Sequence, residues 1–276
     1  MSMNLQSTTK LNNGVAMPWF GLGVFKAKAG REVEKTVQWA LEAGYRSIDT
    51  ATVYRNEAGV GKAVRHSEIT REELFVTTKV SNPDQRSGRV EQAFTTSLAQ
   101  LGMEYVDLYL VHWPVANHFK KTWRVLESIY ESGRAKAIGV SNFMIPHLQE
   151  LLQDAHIVPA VNQIEMHPYL QQPDLIDYCR QHNIQVEAWS PIMRGQVTKV
   201  PELKQLARKY GQNPVQLTLR WLLQKEIVVI PKSSQKKRIR DNAAVFDFEL
   251  TAADMALIDG LDRGTRVGPD PFDFDF

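Results

Sequence analysis

Cysteine is almost absent from the chain. Cys179 stands alone, so no internal disulfide can form, and such usage suits a reducing cytosol. No run approaches the ~18 consecutive apolar residues of a membrane span. The opening "MSMNLQSTTKLNNG" lacks the apolar core of a secretory signal. These absences point to a cytoplasmic protein without a membrane partner. Net charge is also small: 33 Lys+Arg against 31 Asp+Glu leaves an excess of two, too little to imply a nucleic-acid partner. The densest basic run, Lys236-Lys237-Arg238-Ile239-Arg240, is local and reads first as a solvated helix face. A complete Gly-x-Gly-x-x-Gly is missing too. "GLGVFKAKAG" has only its first two glycines in place, so a Rossmann phosphate loop is not supported.

What the chain has instead is a series of alternating units. Asn13-Gly14, between short apolar-alternating arms, is a hairpin signal. Eight β-rich runs follow: "WFGLGV" (19–24), "YRSID" (45–49), "LFVTTK" (74–79), "VDLYLVH" (106–112), "AKAIGVS" (135–141), "PAVNQI" (159–164), "QVEAWS" (185–190) and "IVVIP" (227–231). Helical patterns separate them. "REVEKTVQWALEAG" carries Val33, Val37, Ala40 and Leu41 on one face and stops at Gly44. "RVEQAFTTSLAQLG" and "TWRVLESIYESG" also stop at Gly, "MIPHLQELLQDA" has the same face, and "PDLIDYCRQH" and "PELKQLARKYG" open with Pro. "PVQLTLRWLLQK" lengthens the section before the last strand. No linker-like stretch interrupts the series, so residues 1–276 are expected to form one domain. Eight strand–helix units predict an α/β fold, a (β/α)8 barrel with an N-terminal hairpin; about 250 residues is its usual size. A doubly wound sheet is the alternative.

One feature favours the barrel. Polar residues stand at the C-terminal ends of the strands: Asp49, Lys79, His112, Ser141-Asn142, Gln163, Ser190 and Lys232. A barrel gathers those ends on one rim, where chemistry is done. Singly, each has an ordinary structural explanation. Asp49 can be a turn residue, Lys79 can reach solvent, His112 can be a core histidine and Tyr54 a packed aromatic. Together they make chemical sense. A phenol, with a reference pKa of ~10, is a poor acid at neutral pH. An ammonium nearby lowers that value, and a carboxylate holds the ammonium in place. Asp49, Lys79 and Tyr54 are therefore expected to tune a phenol toward working pH. His112 can donate a hydrogen bond to a carbonyl oxygen beside it.

Three long motifs add a resemblance. "GYRSIDTATVYRNEAGVG" (44–61), "AKAIGVSNF" (135–143) and "IPKSSQKKRIRDNAAV" (230–245) resemble the signatures of the aldo-keto reductase superfamily. Asp241 departs from the third, where Glu or a smaller polar residue is usual. "MPWFGLGVF", "DLYLVHWP" and "FDFELTAADMALIDGL" support the same likeness, which covers nearly the whole chain. The look is nearest to a bacterial branch of glyoxal and methylglyoxal reductases and 2,5-diketo-D-gluconate reductases.

The resemblance implies NADPH-dependent reduction of aldehydes and ketones, small aldehydes and α-dicarbonyls among them, by a cytoplasmic monomer. Tyr54 would be the proton donor, Asp49 and Lys79 its tuning pair, and His112 the group that orients the carbonyl. Ser141, Asn142 and Gln163 match positions that hold the nicotinamide carboxamide, and Trp189 the aromatic under the ring. Ser190 and the loop to Gly195 match the pyrophosphate region. Lys232, Ser233 and Arg238 match positions around the adenosine 2′-phosphate, with Asn242 at the adenine. The charge agrees, since a phosphate prefers Arg and Lys. Phe25 and Trp113 match pocket-lining positions. Ser81 stands where relatives usually carry Trp, which implies a wider mouth. The stretch after Trp189 is short and should give little cover. The tail "GPDPFDFDF" is either a frayed terminus or a segment that folds Phe272 or Phe274 over the pocket.

Two further readings stay open. A metal-dependent hydrolase on the same barrel could use His112, Glu165 and His167, although no His-x-His closes the first strand. A cofactor-binding regulatory module would need no turnover at all.

Overall fold

The computed structural model describes residues 3–276. It opens with a two-stranded antiparallel hairpin, β1 (Thr8–Lys10) and β2 (Ala16–Pro18). The turn between them passes through Gly14 at φ 91°, a left-handed conformation that glycine adopts without penalty. Eight parallel strands follow: β3 (Leu22–Gly23), β4 (Ser47–Asp49), β5 (Phe75–Val80), β6 (Val106–Val111), β7 (Ala135–Ser141), β8 (Val161–Glu165), β9 (Gln185–Trp189) and β10 (Val228–Val229). Each pairs with the next, in sequence order. The ring closes through parallel bridges Phe20–Val229 and Gly23–Lys232, with hydrogen bonds from Gly21 N to Val229 O (2.8 Å) and from Val229 N to Trp19 O (3.0 Å). The fold is a (β/α)8 barrel.

The outer layer comprises α1 (Arg31–Glu42), α2 (Glu57–Arg65), α3 (Asn82–Arg86), α4 (Val90–Leu101), α5 (Phe119–Glu131), α6 (Ile145–Leu152), α7 (Pro173–Gln181), α8 (Pro201–Lys209), α9 (Pro214–Gln224), α10 (Lys236–Ala243) and α11 (Ala252–Asp259). The glycine stops are real: Gly44, Gly102 and Gly133 all have positive φ. Proline opens α7, α8 and α9 within their first turns.

Strand alternation separates two cores. Val76, Tyr109, Val111, Ile138, Ile164 and Ala188 face the helices and join the larger cluster. Phe75, Leu108, Leu110, Ala137, Val161 and Val228 form a second cluster inside the barrel. Leu11 and Met17 from the hairpin belong to this second cluster, so the hairpin plugs the barrel floor. Toward the strands' C-terminal ends the interior turns polar, and the site begins there.

Candidate active site

Asp49 ends β4 and Lys79 lies near the end of β5; both are buried, at 2% and 0% exposure. Lys79 Nζ donates to Asp49 Oδ1 (2.6 Å), Asp49 Oδ2 (2.7 Å) and the Thr50 carbonyl (2.9 Å). All three ammonium protons are therefore used, and the pair is charge-matched as buried charges must be. Burial works against the Lys79 charge, but Asp49 and Tyr54 outweigh it and hold its pKa above the ordinary value.

After Asp49 the chain leaves the strand through one 3-10 turn, Thr52–Tyr54, and stops on Arg55 at φ 55°. Asn56 fixes this exit. It accepts from Thr50 Oγ1 (2.8 Å) and donates to the carbonyls of Val24 (3.0 Å) and Ala27 (3.1 Å), tying it to the segment after β3. Thr52 Oγ1 donates to the Lys79 carbonyl (2.9 Å), tying it to β5. Tyr54 is thereby set above the pair, with Lys79 Nζ 5.3 Å from its ring centroid. Its ring meets His112 at 5.8 Å (74°) and Phe25 at 5.1 Å (52°).

The electrostatics correct one expectation. Tyr54 is not lowered toward neutral pH. Burial raises its pKa above the ordinary value; Lys79 pulls it down, and Asp49 pushes it up again. Desolvation of the phenolate is the largest influence, so the phenol stays protonated. Lys79 then acts on the phenolate that proton loss would leave. His112 is held well below the ordinary histidine range, by burial first and then by the Lys79 charge. It is a neutral imidazole, which keeps one N–H to donate.

The next strand ends bring the other predicted residues to the same rim. Ser141 Oγ donates to the Gln163 carbonyl (2.8 Å). Asn142, at φ 65°, donates to the His112 carbonyl (2.9 Å) and accepts from Trp189 Nε1 (2.8 Å). Gln163 Nε2 donates to Asp49 Oδ2 (2.8 Å) and to Glu187 Oε2 (2.6 Å). Ser190 follows Trp189 at φ 51°, and 3-10 turns within Met193–Lys199, kinked at Arg194 and Gly195, lead through Val200 into α8. The connection is as short as expected.

A basic cluster lies beyond β10. Lys236 pairs with Glu42 (2.7 Å) and Lys237 with Asp241 (2.6 Å). Among the described residues Lys232, half-buried before α10, and Arg238, exposed on it, form no ion pair. Ser233 and Asn242 are buried beside them.

Ser81 is not a free pocket hydroxyl. Its Oγ accepts from Asp84 N (3.2 Å) and donates to Asp84 Oδ2 (2.5 Å), capping α3. The tail packs close by. Phe274 and Phe276 lie 5.1 and 5.2 Å from the Trp113 ring, and the Phe276 carbonyl accepts from Asn82 and Arg86, each at 3.0 Å. Phe272 lies over His147, at 4.9 Å. The tail is thus folded on the rim rather than frayed.

Glu165 and His167 serve this tail. Glu165 accepts from Val267 N (2.6 Å) and Gly268 N (3.2 Å), and pairs with His167 Nε2 (3.0 Å). Gly268 is required there, because a Cβ would lie 2.3 Å from the Trp189 ring. Among the described residues no group of three His, Cys, Asp or Glu side chains is gathered as a metal site. Asn56 and Glu187 also hold the site together. Neither carries a local signal, since only the tertiary fold supplies their partners.

Comparison with known proteins adds independent findings. The pattern described as the Aldo/keto reductase family matches residues 19–263. A glyoxal reductase of Bacillus subtilis is 52% identical over 271 residues, 98% of each chain. A methylglyoxal reductase (DkgA) of Yersinia pestis is 47% identical over 273 residues, again 98% of each. Among solved structures, an aldo-keto reductase (MGS-M4) from a Medee basin deep-sea metagenome library superimposes with a TM-score of 0.95 at 44% identity, covering 98% of this chain and 100% of that one. An aldo-keto reductase of Bombyx mori in complex with NADP gives 0.88 at 37% identity, covering 95% and 94%.

Proposed function

The chain belongs to the aldo/keto reductase family and is an NADPH-dependent oxidoreductase, and on that premise we propose that it reduces small aldehydes and α-dicarbonyls such as methylglyoxal, with Tyr54 as proton donor. The observation that carries this reading is the buried Lys79–Asp49 pair directly beneath Tyr54, with His112 beside the phenol.

NADPH, when bound, supplies the hydride that reaches the carbonyl carbon. The chain's residues do the rest. His112 donates its N–H to the carbonyl oxygen and fixes it beside the Tyr54 hydroxyl. As the C–O π pair becomes an alkoxide, Tyr54 gives that oxygen its proton, and the product leaves as an alcohol. Lys79 stabilises the phenolate until solvent restores the proton, and Asp49 keeps the ammonium in register.

The residues present suit the cofactor. Gln163 and Asn142 offer amide carbonyl oxygens, Ser141 a hydroxyl oxygen and Trp189 an aromatic face at one end. At the other, Lys232 and Arg238 are cations without ionic partners among the described residues. Such groups favour a phosphate, so Lys232, Ser233 and Arg238 would hold the 2′-phosphate and Asn242 the adenine, with Ser190 at the pyrophosphate. Phe25, Trp113 and the tail aromatics would line the substrate mouth.

The test is NADPH oxidation measured over methylglyoxal, phenylglyoxal, simple aldehydes and 2,5-diketo-gluconate. The highest kcat/KM is expected with the α-dicarbonyls. A clear preference for the keto sugar would replace this reading with a keto-sugar reductase.

A further inference from the structure

Glu187 is buried in the barrel, at 1% exposure, and the reaction as described makes no use of it. Its Oε2 accepts from Gln163 Nε2 at 2.6 Å, and the other hydrogen of that amide goes to Asp49 Oδ2 at 2.8 Å. The amide is thus oriented by two carboxyl groups: a flip would set its carbonyl oxygen against both. Glu187 Oε1 is buried without a hydrogen-bond partner.

Charge decides what state Glu187 is in. Every donor of Lys79 goes to Asp49 and Thr50, so none reaches Glu187. The neighbours that face it are Gln163 from β8, Asp49 from β4, Lys79 from β5 and Tyr54 above them, while β10 sets apolar Val228 in register beside it. One ammonium already balances one carboxylate. A second carboxylate would be a buried charge without a partner, which is costly. Burial and then Asp49 accordingly push the Glu187 carboxyl up to about 8, against the Gln163 hydrogen bond and Lys79.

We propose that Glu187 is a positioning residue that holds the Gln163 amide toward the rim, carries a proton while the bound cofactor is neutral, and gives that proton to solvent when the cofactor ring is oxidised and cationic. The inference rests on the reading that Gln163 and Trp189 flank the nicotinamide; Trp189 is two residues further along the same strand. A cationic ring there supplies the counter-charge that the interior lacks, and linkage requires the converse. Oxidised cofactor binds more tightly once Glu187 is ionised, that is, at higher pH.

The experiment measures the Kd of NADP+ and of NADPH by tryptophan fluorescence quenching, from about pH 7 to about pH 9, in the wild type and in E187Q. In the wild type the NADP+ Kd should fall several-fold as pH rises, at most about tenfold per pH unit, while the NADPH Kd stays level. In E187Q, whose amide is neutral throughout, both should stay level. A level NADP+ profile in the wild type, or the same slope in both proteins, would overturn the proposal. A wild type that binds neither form would instead overturn the nicotinamide site itself.

A measurement on the wild type alone guards against a misfolded variant. Mixing with NADP+ in weak buffer near pH 7.5 should release up to about one proton per cofactor bound, and NADPH none. Ionisation of the 2′-phosphate is common to both forms and cancels in the comparison. Equal release by the two would overturn the proposal.

Discussion

The lower and upper halves of the barrel interior are built by the same strands and do opposite things. Below, Phe75, Leu108, Ala137, Val161 and Val228 close on Leu11 and Met17 from the hairpin in a buried apolar layer. Above, Asp49, Lys79, Gln163 and Glu187 form a hydrogen-bonded polar layer of equally low exposure. The step between the layers is short: Thr77 separates Phe75 from Lys79 on β5, and on β8 Val161 and Gln163 are two residues apart. Burial in the lower layer stabilises the fold, by about 1.5–3 kcal/mol for a large side chain. In the upper layer burial is unfavourable for each charge and holds only because the charges are matched. A barrel can thus separate stability from chemistry along a single strand.

Breaking the matched pair should have the largest effect. Lys79→Met leaves Asp49 buried without its cation, at a cost of about 3–5 kcal/mol. It also removes the stabilisation of the Tyr54 phenolate, and turnover should fall at least about 100-fold. Urea unfolding and steady-state kinetics on one preparation read both losses. Loss of stability with full turnover would show that the pair is structural only. In the lower layer the effects should part. Leu108→Ala should cost about 2–5 kcal/mol through its cavity, with kcat of the folded enzyme changed by no more than about twofold. A large fall in kcat at preserved stability would erase the distinction between layers.

These two regions were not equally legible in the sequence. The eight strands and the helices that end at Gly44, Gly102 and Gly133 could be read from period and stop signals. α2 could not, because Gly59 and Gly61 are poor helix formers. The fold requires them there: a Cβ on Gly61 would lie 1.8 Å from the Leu101 carbonyl of α4. Asp49, Lys79 and His112 stood out as polar ends of apolar strands. Glu187 did not, because an alternating polar residue in "QVEAWS" looks the same facing solvent as facing a charged barrel interior. Glu165 and His167 suggested ligands, and only the returning tail gives their role. Tyr54's position could be inferred, but the sign of its pKa shift could not, since burial is a property of the assembled rim.

Away from the barrel axis, smaller effects are expected. Arg238→Ala removes a cation that forms no ion pair among the described residues. It should raise the NADPH Michaelis constant about 10- to 100-fold, the equivalent of about 1.5–3 kcal/mol, and leave the NADH constant nearly unchanged. Equal effects on both cofactors would remove the phosphate from this site. Ser81→Trp should have the mildest effect: loss of the α3 cap, about 1 kcal/mol, and a drop in kcat/KM greater for phenylglyoxal than for methylglyoxal. An unchanged ratio would mean that position 81 does not reach the substrate mouth.

The proposed chemistry turns on the Tyr54 phenol, whose ring meets Lys79 and His112. Tyr54→Phe removes one oxygen and leaves Lys79, Asp49 and His112 in place. NADPH titration and methylglyoxal reduction should be measured on the same sample of this variant. The predicted result is NADPH binding within about twofold of wild type and turnover lower by about 100-fold or more. Carbonyl reduction near the wild-type rate would contradict the assignment of Tyr54 as proton donor.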